Sequence, residues 1–277
     1  MKKRKVLTLI GDVVGMVLCL FIFVTPFLYM FLNSIKNKKE ANLMSLALPT
    51  EIHFENYLEV LKANNYMLIT AFKNSLLIAF FSVAILILVG SMAGYVLQRR
   101  SDKTMTVANA LIMSGLMVPP AILPTIWVLQ GMHIYKTLFG MITVEVALCI
   151  PFTIMLYRGF MGTIPKELEE AGLIDGCSPF QIFTKIVFPL LKPVTSTVII
   201  LNAVNIFNDF TNPLYFLPGN ANATVQLTLY NFKGKYESSY NLMFADVLVI
   251  TIPMLILFIF FNKKIIDGMV AGAVKGE

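Results

Sequence analysis

Polar side chains recur at helical spacing inside an apolar stretch near residue 200. Asn202, Asn205, Asp209 and Asn212 are three, four and three residues apart, so on one helix they lie within about 80° of arc. These four residues are called the polar stripe below, and Asn208 flanks them. Amides donate and accept hydrogen bonds, which suits the passage of a hydroxyl-rich solute. Amides inside a membrane also join neighbouring helices, and the sequence leaves both interpretations open.

Residue sets for covalent chemistry or metal binding are not evident in the sequence. It has no G-x-x-x-x-G-K-[ST] motif for nucleotide phosphates and no H-E-x-x-H zinc motif. His53 and His133 fall outside the apolar stretches, so neither is placed to act as a base inside the membrane. The three cysteines are scattered, which indicates neither a disulfide framework nor a metal site. We therefore expect a chain that is not an enzyme and holds no cofactor or metal of its own.

The elements that position the polar stripe are expected to be membrane helices. Of the 277 residues, 57% are hydrophobic and 14% charged, against roughly 45–50% and 25% in soluble domains. Such a surface needs lipid as its solvent, and apolar runs of about 20 residues cross a bilayer as helices. We predict an all-α integral membrane protein, a single domain over residues 1–277 with six transmembrane helices. The predicted spans are about 6–32, 75–97, 107–129, 139–156, 194–210 and 242–261.

The distribution of basic residues predicts the orientation of these spans. With the N-terminus inside the cell, fourteen of the 22 Lys and Arg residues fall on the cytoplasmic side, as the positive-inside rule requires. This places both termini, the loop 159–192 and the tail 262–277 in the cytoplasm. The net charge of +6 is then explained mostly by basic residues that keep loops on the cytoplasmic side. We therefore expect no nucleic-acid partner.

The third predicted span contains three prolines, Pro119, Pro120 and Pro124. Proline lacks a backbone N–H and breaks or kinks a helix. We therefore expect an interruption in this span, shielded from lipid by neighbouring helices.

The loop 159–192 has the pattern of two short helices. Pro165 suits a first helical turn, and three acidic residues follow it where negative charge complements the helix dipole. Ser178 can begin a second helix as its N-cap, with Gln181 placed to complete a capping box. The apolar side of this second helix is expected to comprise Phe180, Phe183, Ile186 and Val187. The segment predicts a compact helix–turn–helix.

One stretch of this loop resembles a known motif. Glu170-Ala171-Gly172, three residues, Gly176, nine residues and Ile186-Val187-Phe188-Pro189 resembles the EAA loop of ABC importer permeases, E-A-A-x3-G-x9-I-x-L-P. The sequence departs from this pattern at Gly172 and Phe188. The resemblance implies that the loop docks into a cleft on an ATPase subunit. The docking residues it implies are Glu170, Ala171, Gly172, Asp175, Gly176, Ile186 and Pro189.

Three further stretches resemble the maltose-type, carbohydrate-uptake branch of these permeases: residues 49–61, 72–79 and 267–276. The resemblance implies import of a sugar or oligosaccharide across a bacterial plasma membrane by alternating access. It implies as partners a second, homologous permease, two ATPase subunits that carry ATP and Mg, and an extracellular solute-binding protein. The loop implied to contact that binding protein comprises Leu217, Pro218, Gly219, Asn220 and Ala221. A plain solvated loop is the alternative for this segment.

Two alternatives to sugar import remain at the level of sequence. One is an ABC permease for another solute. The other is a secondary transporter driven by an ion gradient, in which Glu145, Asp209 and Asp246 would serve as proton or sodium sites. For Glu145, Asp246 and Asp12, a structural or interfacial role is favoured over substrate contact.

Overall fold

All regular structure is helical in residues 2–233 and 238–273, the part of the chain that the computed structural model describes. The prediction of an all-helical protein is confirmed. In chain order the elements are α1 (Lys2–Ser34), α2 (Lys38–Asn42), α3 (Glu55–Arg99), α4 (Lys103–Ser114), α5 (Ile122–Gly131), α6 (Leu138–Met161), α7 (Glu167–Ile174), α8 (Pro179–Gln181), a π-helix (Ile182–Val187), α9 (Phe188–Leu190), α10 (Lys192–Phe207), α11 (Thr211–Phe216), α12 (Val225–Thr228), a 3-10 helix (Leu229–Phe232) and α13 (Tyr240–Ala273).

The chain divides into two compact units. Unit 1 comprises Met1–Ile69 and Thr228–Ile252, and unit 2 comprises Thr70–Leu227 and Pro253–Glu277. Helices α3 and α13 each contribute residues to both units. The loop 159–192, which is predicted to dock on an ATPase, the polar stripe and the predicted binding-protein loop all belong to unit 2.

Unit 1 is organised around the end of α1. The Lys36 side chain is 1% exposed, and its ammonium group donates to the Ser45 carbonyl oxygen at 2.8 Å and to Asn33 Oδ1 at 3.2 Å. The Asn56 amide donates to the carbonyl oxygens of Ser34 at 2.8 Å and Lys36 at 2.9 Å. These bonds supply partners for carbonyl groups that a helix end leaves unpaired.

Helix α3 bends just before it enters unit 2. Residues 63–66 leave the helical conformation, with φ of 48° at Asn64, 55° at Asn65 and 61° at Tyr66. Asparagine tolerates this left-handed region better than most residues. From residue 67 to Arg99 the backbone is helical without further exceptions.

Four helices in the described residues are long and apolar enough to cross a membrane: α1, α3, α6 and α13. A fifth span arises if Pro179–Leu190 and Lys192–Phe207, which meet at an angle of 73°, count as one. The protein is therefore a multi-pass membrane protein. The predicted spans 6–32, 75–97, 139–156 and 242–261 fall inside the four long helices, whereas the total of six spans stays a prediction. Residues 274–277, at the end of the predicted tail, lie outside the described residues.

The third predicted span is two helices rather than one. Helix α4 ends at Ser114 and α5 begins at Ile122, so neither is long enough to cross a bilayer by itself. Pro119 and Pro120 lie in the gap, where their missing N–H groups cost no helical hydrogen bond. Pro124 is the third residue of α5, a position whose N–H has no partner within the helix.

Helices α3 and α6 approach closely at two glycines one helical turn apart. A Cβ atom on Gly90 would lie 2.6 Å from the Thr153 methyl carbon. A Cβ atom on Gly94 would lie 2.9 Å from Tyr157 Cβ and 3.2 Å from the backbone nitrogen of Arg158. Small residues spaced in this way let membrane helices pack backbone to backbone. This crossing joins α3 to α6, the helix that leads into the loop 159–192.

Candidate functional site

The loop 159–192 folds as a hairpin, and its first arm is α7. The arm ends in a Schellman motif, in which the N–H of Cys177 donates to the Gly172 carbonyl oxygen at 2.9 Å and that of Gly176 to the Leu173 carbonyl oxygen at 3.0 Å. Gly176 has φ of +79°, a conformation that side chains disfavour. The glycine of the sequence motif is thus required by the turn. Pro165 precedes the arm, which begins at Glu167, and is not in its first turn.

The second arm begins with the predicted capping box. Gln181 N–H donates to Ser178 Oγ at 3.3 Å, and Ser178 N–H donates to Gln181 Oε1 at 2.8 Å. The arm then continues as a π-helix, where Phe188 N–H bonds to the Phe183 carbonyl oxygen five residues back. Pro189 follows with no N–H to offer.

The apolar side predicted for the second arm is partly wrong. Phe183 and Val187 are buried and Ile186 is half-buried, but the Phe180 side chain is 66% exposed. Its place inside is taken by Ile182, 3% exposed. The wider turn of the π-helix, which α-helical spacing does not anticipate, changes which residues share a face.

Gly172 lets the two arms of the hairpin pack against each other. A Cβ atom at this position would lie 2.6 Å from Ile186 Cδ1 and 3.4 Å from Ile182 Cγ1. The first of these atoms is the end of a flexible side chain, so an alanine is accommodated by a small shift of Ile186. Glycine at this position therefore allows a tight contact between the arms, and the alanine of the motif would require only that shift.

A polar cluster fixes the hairpin to the end of α3. The Arg99 guanidinium donates to Glu169 Oε1 from Nε at 2.7 Å, and a second nitrogen lies 2.6 Å from the same oxygen. The Tyr95 hydroxyl donates to Glu169 Oε2 at 2.8 Å, and Arg99 also donates to the Ile164 carbonyl oxygen at 3.1 Å. The Arg99 and Glu169 side chains are only 12% and 13% exposed, so water competes little for these bonds. We call Tyr95, Arg99 and Glu169 the clamp.

The clamp was not predicted from the sequence. In the sequence, Glu169 is one of three acidic residues in a predicted first helical turn. Arg99 contributes only as one of the basic residues that predict the orientation of the spans. The two residues are 70 positions apart, and no local pattern pairs residues at that distance.

The tip of the hairpin is exposed and mixes apolar with acidic groups. Ile174 is 87% exposed and Leu173 57%, and Glu170, Ala171, Asp175 and Gly176 are exposed as well. Gly172 and Ile186 are instead part of the hairpin's own packing, and Pro189 is exposed on the second arm. A tip of this kind, on a fixed base, can insert into a groove of another protein.

The polar stripe does not form one helical face. Helix α10 ends at Phe207, earlier than the predicted residue 210. Asp209 lies just before a new helix, α11, and its Oδ1 accepts from the N–H groups of the first two residues of that helix, Thr211 at 2.9 Å and Asn212 at 3.3 Å. The prediction of a continuous stripe is wrong, since a capping carboxylate competes with continuation of the helix.

The amides of the stripe differ in exposure. Asn202 is 4% exposed and donates to the Val198 carbonyl oxygen at 2.9 Å and to Thr153 Oγ1 at 3.3 Å. Asn205 is exposed, with its amide 3.7 Å from Cys149 Sγ. Both amides contact α6, as the interpretation of helix-joining amides predicts, but only the Asn205 residue is also exposed.

Beyond α10, the remaining polar groups form a cluster at the junction with α11. The exposed Asn208 accepts a bond from the Gln226 amide at 3.1 Å. The Glu145 carboxyl group, 1% exposed, interacts with the side chains of Asp209 and Asn212. In the sequence, Glu145, Asp209 and Asp246 are separate candidates for ion sites. The fold of unit 2 brings Glu145 and Asp209 together, whereas Asp246 belongs to unit 1.

The predicted binding-protein loop has a buried anchor and an exposed crest. Leu217 is 0% exposed, so its prediction as a contact residue is wrong and it packs in the core of unit 2. Pro218, Gly219, Asn220 and Ala221 are exposed, and Gly219 has φ of +107°. We call residues 218–221 the crest.

Two residues of α3 hold the segment that follows the crest. The Asn74 amide donates to the carbonyl oxygens of Ala223 at 3.0 Å and Ala221 at 3.4 Å. Ser75 Oγ accepts from the Val225 N–H at 3.0 Å. A separate bond joins the Asn222 amide to the Lys136 carbonyl oxygen at 2.9 Å.

Comparison with known proteins agrees with this architecture. Residues 86–269 match the model of the family described as binding-protein-dependent transport system inner membrane component. The melibiose/raffinose/stachyose import permease protein MelC of Bacillus subtilis is 34% identical over 99% of this chain and 98% of its own length.

Two solved structures share the fold. A chain of a bacterial ABC transporter involved in the import of the acidic polysaccharide alginate superposes with a TM-score of 0.82 at 20% identity, over 95% of this chain and 98% of that one. A chain of the alginate transporter in complex with an alginate pentasaccharide-bound periplasmic protein gives a TM-score of 0.68 at 15% identity, over 94% of each chain. The chain therefore belongs to the family of binding-protein-dependent transport system inner membrane components.

Proposed function

We propose that this chain is a transmembrane subunit of an ATP-driven ABC importer and moves a sugar or oligosaccharide inward by alternating access. The observation that carries the proposal is the hairpin, whose exposed apolar and acidic tip stands on a base fixed by the clamp. Such a tip can transmit force only if its base is rigid. The choice of a sugar is supported by the identity with the melibiose/raffinose/stachyose permease along nearly the whole chain.

The partners follow from the same proposal. Two ATPase subunits supply ATP and Mg, and the hairpin docks on one of them through Glu170, Ile174 and Asp175. A second, homologous permease completes the pathway, and an extracellular binding protein delivers the solute, as the family description and the periplasmic protein in the alginate complex suggest. Six spans with both termini in the cytoplasm place the hairpin inside and the crest outside.

The translocation path is proposed to pass the exposed side of α10. Asn205 and Asn208 are exposed there, and Asn212 lines a cavity of about 160 Å³ whose other walls, such as Leu129 and Phe216, are mostly apolar. This cavity is small and apolar for a sugar with many hydroxyl groups. The path is therefore expected to lie between this chain and the second permease, with these amides as half of its polar lining.

Cysteine accessibility tests the path. In a background lacking Cys19, Cys149 and Cys177, we expect Asn205→Cys to react with a small hydrophilic maleimide at a rate that changes at least about fivefold between nucleotide states. Asn202→Cys is the matched control, because its position is 4% exposed and joined to α6, and it should stay protected. Protection of both positions in every nucleotide state would show that the stripe only joins helices.

Isolation of the assembly tests the function itself. The tagged chain is purified from its native membranes, its companions are identified by mass spectrometry, and ATP hydrolysis is measured with raffinose, melibiose or maltose and the recovered binding protein. We expect a P-loop ATPase, a second permease and hydrolysis stimulated by at least one of these sugars. Recovery of the chain alone, with uptake that survives ATP depletion and collapses with the ion gradient, would favour the ion-coupled transporter.

A further inference from the structure

Helix α3 contacts both the loop proposed to meet the binding protein and the hairpin proposed to meet the ATPase. Residues 70–99 of α3 run through unit 2 without a break in helical geometry. Asn74 and Ser75 near one end hold the segment behind the crest, and Tyr95 and Arg99 near the other end hold the hairpin. At 1.5 Å per residue, the 25 positions from Asn74 to Arg99 span about 37 Å, more than the hydrocarbon core of a bilayer.

Near the crest, the Asn74 and Ser75 side chains form hydrogen bonds with the backbone of the loop behind it. Asn74 and Ser75 are 5% and 3% exposed, and the segment they hold is equally buried, with Ala223 at 1% and Val225 at 0%. Two carbonyl groups and one N–H of the loop are engaged. Because these contacts are buried and involve the main chain, the loop behind the crest and the end of α3 form one body.

At the inner end, α3 holds both arms of the hairpin. Arg99 and Tyr95 bind Glu169 of the first arm. The Tyr95 ring also lies against the Phe183 ring of the second arm, with centroids 5.4 Å apart. The hairpin is therefore attached to α3 by charge, hydrogen bonds and packing together.

The part of α3 between these ends is stiff. Gly90 and Gly94 bring it into backbone contact with α6, and buried side chains such as Leu86 pack in the core of unit 2. A helix with all its internal hydrogen bonds resists stretching, so displacement at one end must appear at the other or strain the contacts there.

We infer that α3 is the element that transmits engagement of the crest to the hairpin, with Asn74 and Ser75 as positioning residues for the crest and the clamp as the corresponding attachment of the hairpin. The inference rests on the proposed function. Contact of a binding protein with the crest displaces α3 near Asn74, at the start of its unit 2 part, and the clamp passes that displacement to the docked ATPase. The alternative is that the loop behind the crest needs only to keep its conformation, and that bonds from any part of the protein serve equally well.

The experiment measures the ratio of ATP hydrolysis with and without the binding protein, in the purified assembly in lipid nanodiscs. The sugar is the one of raffinose, melibiose and maltose that stimulates the unmodified assembly most. The outer variant is Asn74→Ala with Ser75→Ala, the inner variant is Arg99→Gln with Tyr95→Phe, and Ser75→Ala alone is a milder version should the outer variant assemble poorly. Asn222→Ala is the matched control, because it removes a bond from the same loop to Lys136 and not to α3.

We expect the outer variant to lower the stimulation ratio about tenfold, Ser75→Ala alone about threefold, and Asn222→Ala by less than about 1.5-fold. Since the two ends act in series, combining the outer and inner variants should lower the ratio no further than the worse of the two, whereas independent effects would multiply. An equal loss in Asn222→Ala, full stimulation in the outer variant, or multiplicative losses would each overturn the inference. An unmodified assembly without an ATPase, or with no stimulation by any of the three sugars, would contradict the proposed function instead.

Discussion

Replacing Ile174 with aspartate is expected to abolish ATP-driven uptake while leaving the permease folded. The Ile174 side chain is 87% exposed at the tip of the hairpin, so the change should alter the free energy of unfolding by less than about 0.5 kcal/mol. In a docked assembly the same side chain would be an apolar anchor in a groove of the ATPase. Loss of such an anchor, with a carboxylate in its place, costs about 2–4 kcal/mol of binding, which is roughly a 30-fold to 1,000-fold weaker complex.

The measurement is recovery of the ATPase with the tagged permease, together with the thermal unfolding midpoint of the permease. Leu48→Asp is the matched control, because Leu48 is 79% exposed and lies far from the hairpin in sequence. The control should keep both the ATPase and uptake. Equal recovery of the ATPase with Ile174→Asp and with the unmodified chain would show that the tip does not dock.

Replacing Gly94 with leucine is expected to prevent the permease from folding. The first atom of the new side chain would meet Tyr157 Cβ at 2.9 Å and the Arg158 backbone nitrogen at 3.2 Å. Neither can yield as the end of a flexible side chain would, so α3 and α6 must separate. Overpacking at such a contact costs about 3 kcal/mol or more, a large part of the total stability of a protein.

The level of folded protein in the membrane and its unfolding midpoint in detergent provide the test. Gly159→Leu is the control, since a Cβ atom on Gly159 of α6 has no neighbour within 4 Å, and this variant should accumulate normally. Similar yields and midpoints for the two variants would mean that the close crossing of α3 and α6 does not contribute to stability.

Features that depend on nearby residues were predictable from the sequence. The long helices follow from unbroken apolar runs, and the capping box at Ser178 follows from residues three positions apart. The end of the first arm at Gly176 likewise reflects one residue's conformational freedom. In each case the free energy that decides the structure is local.

Features that depend on competition or on distant partners were not predictable. The spacing of Asn205, Asp209 and Asn212 fits one continuous helix. The same spacing also fits a break in which Asp209 accepts two backbone hydrogen bonds at the start of α11. The residue pattern alone does not distinguish these two structures. The π-helix shares its residue types with an α-helix. The clamp required knowledge that Arg99 and Glu169 meet, which only the packing of α3 against the hairpin establishes.

A single residue, Leu191, connects α9, the last part of the hairpin's second arm, to α10. Rotation of the arm is therefore passed directly to α10. Leu191 is 0% exposed, and the helices on its two sides meet at 73°. No flexible linker is present at that corner to absorb a rotation, and opening the angle would expose Leu191. A turn of the arm about the corner therefore becomes a tilt of α10, and Asn205, which lies several turns along it, moves through a longer arc than residues near Leu191.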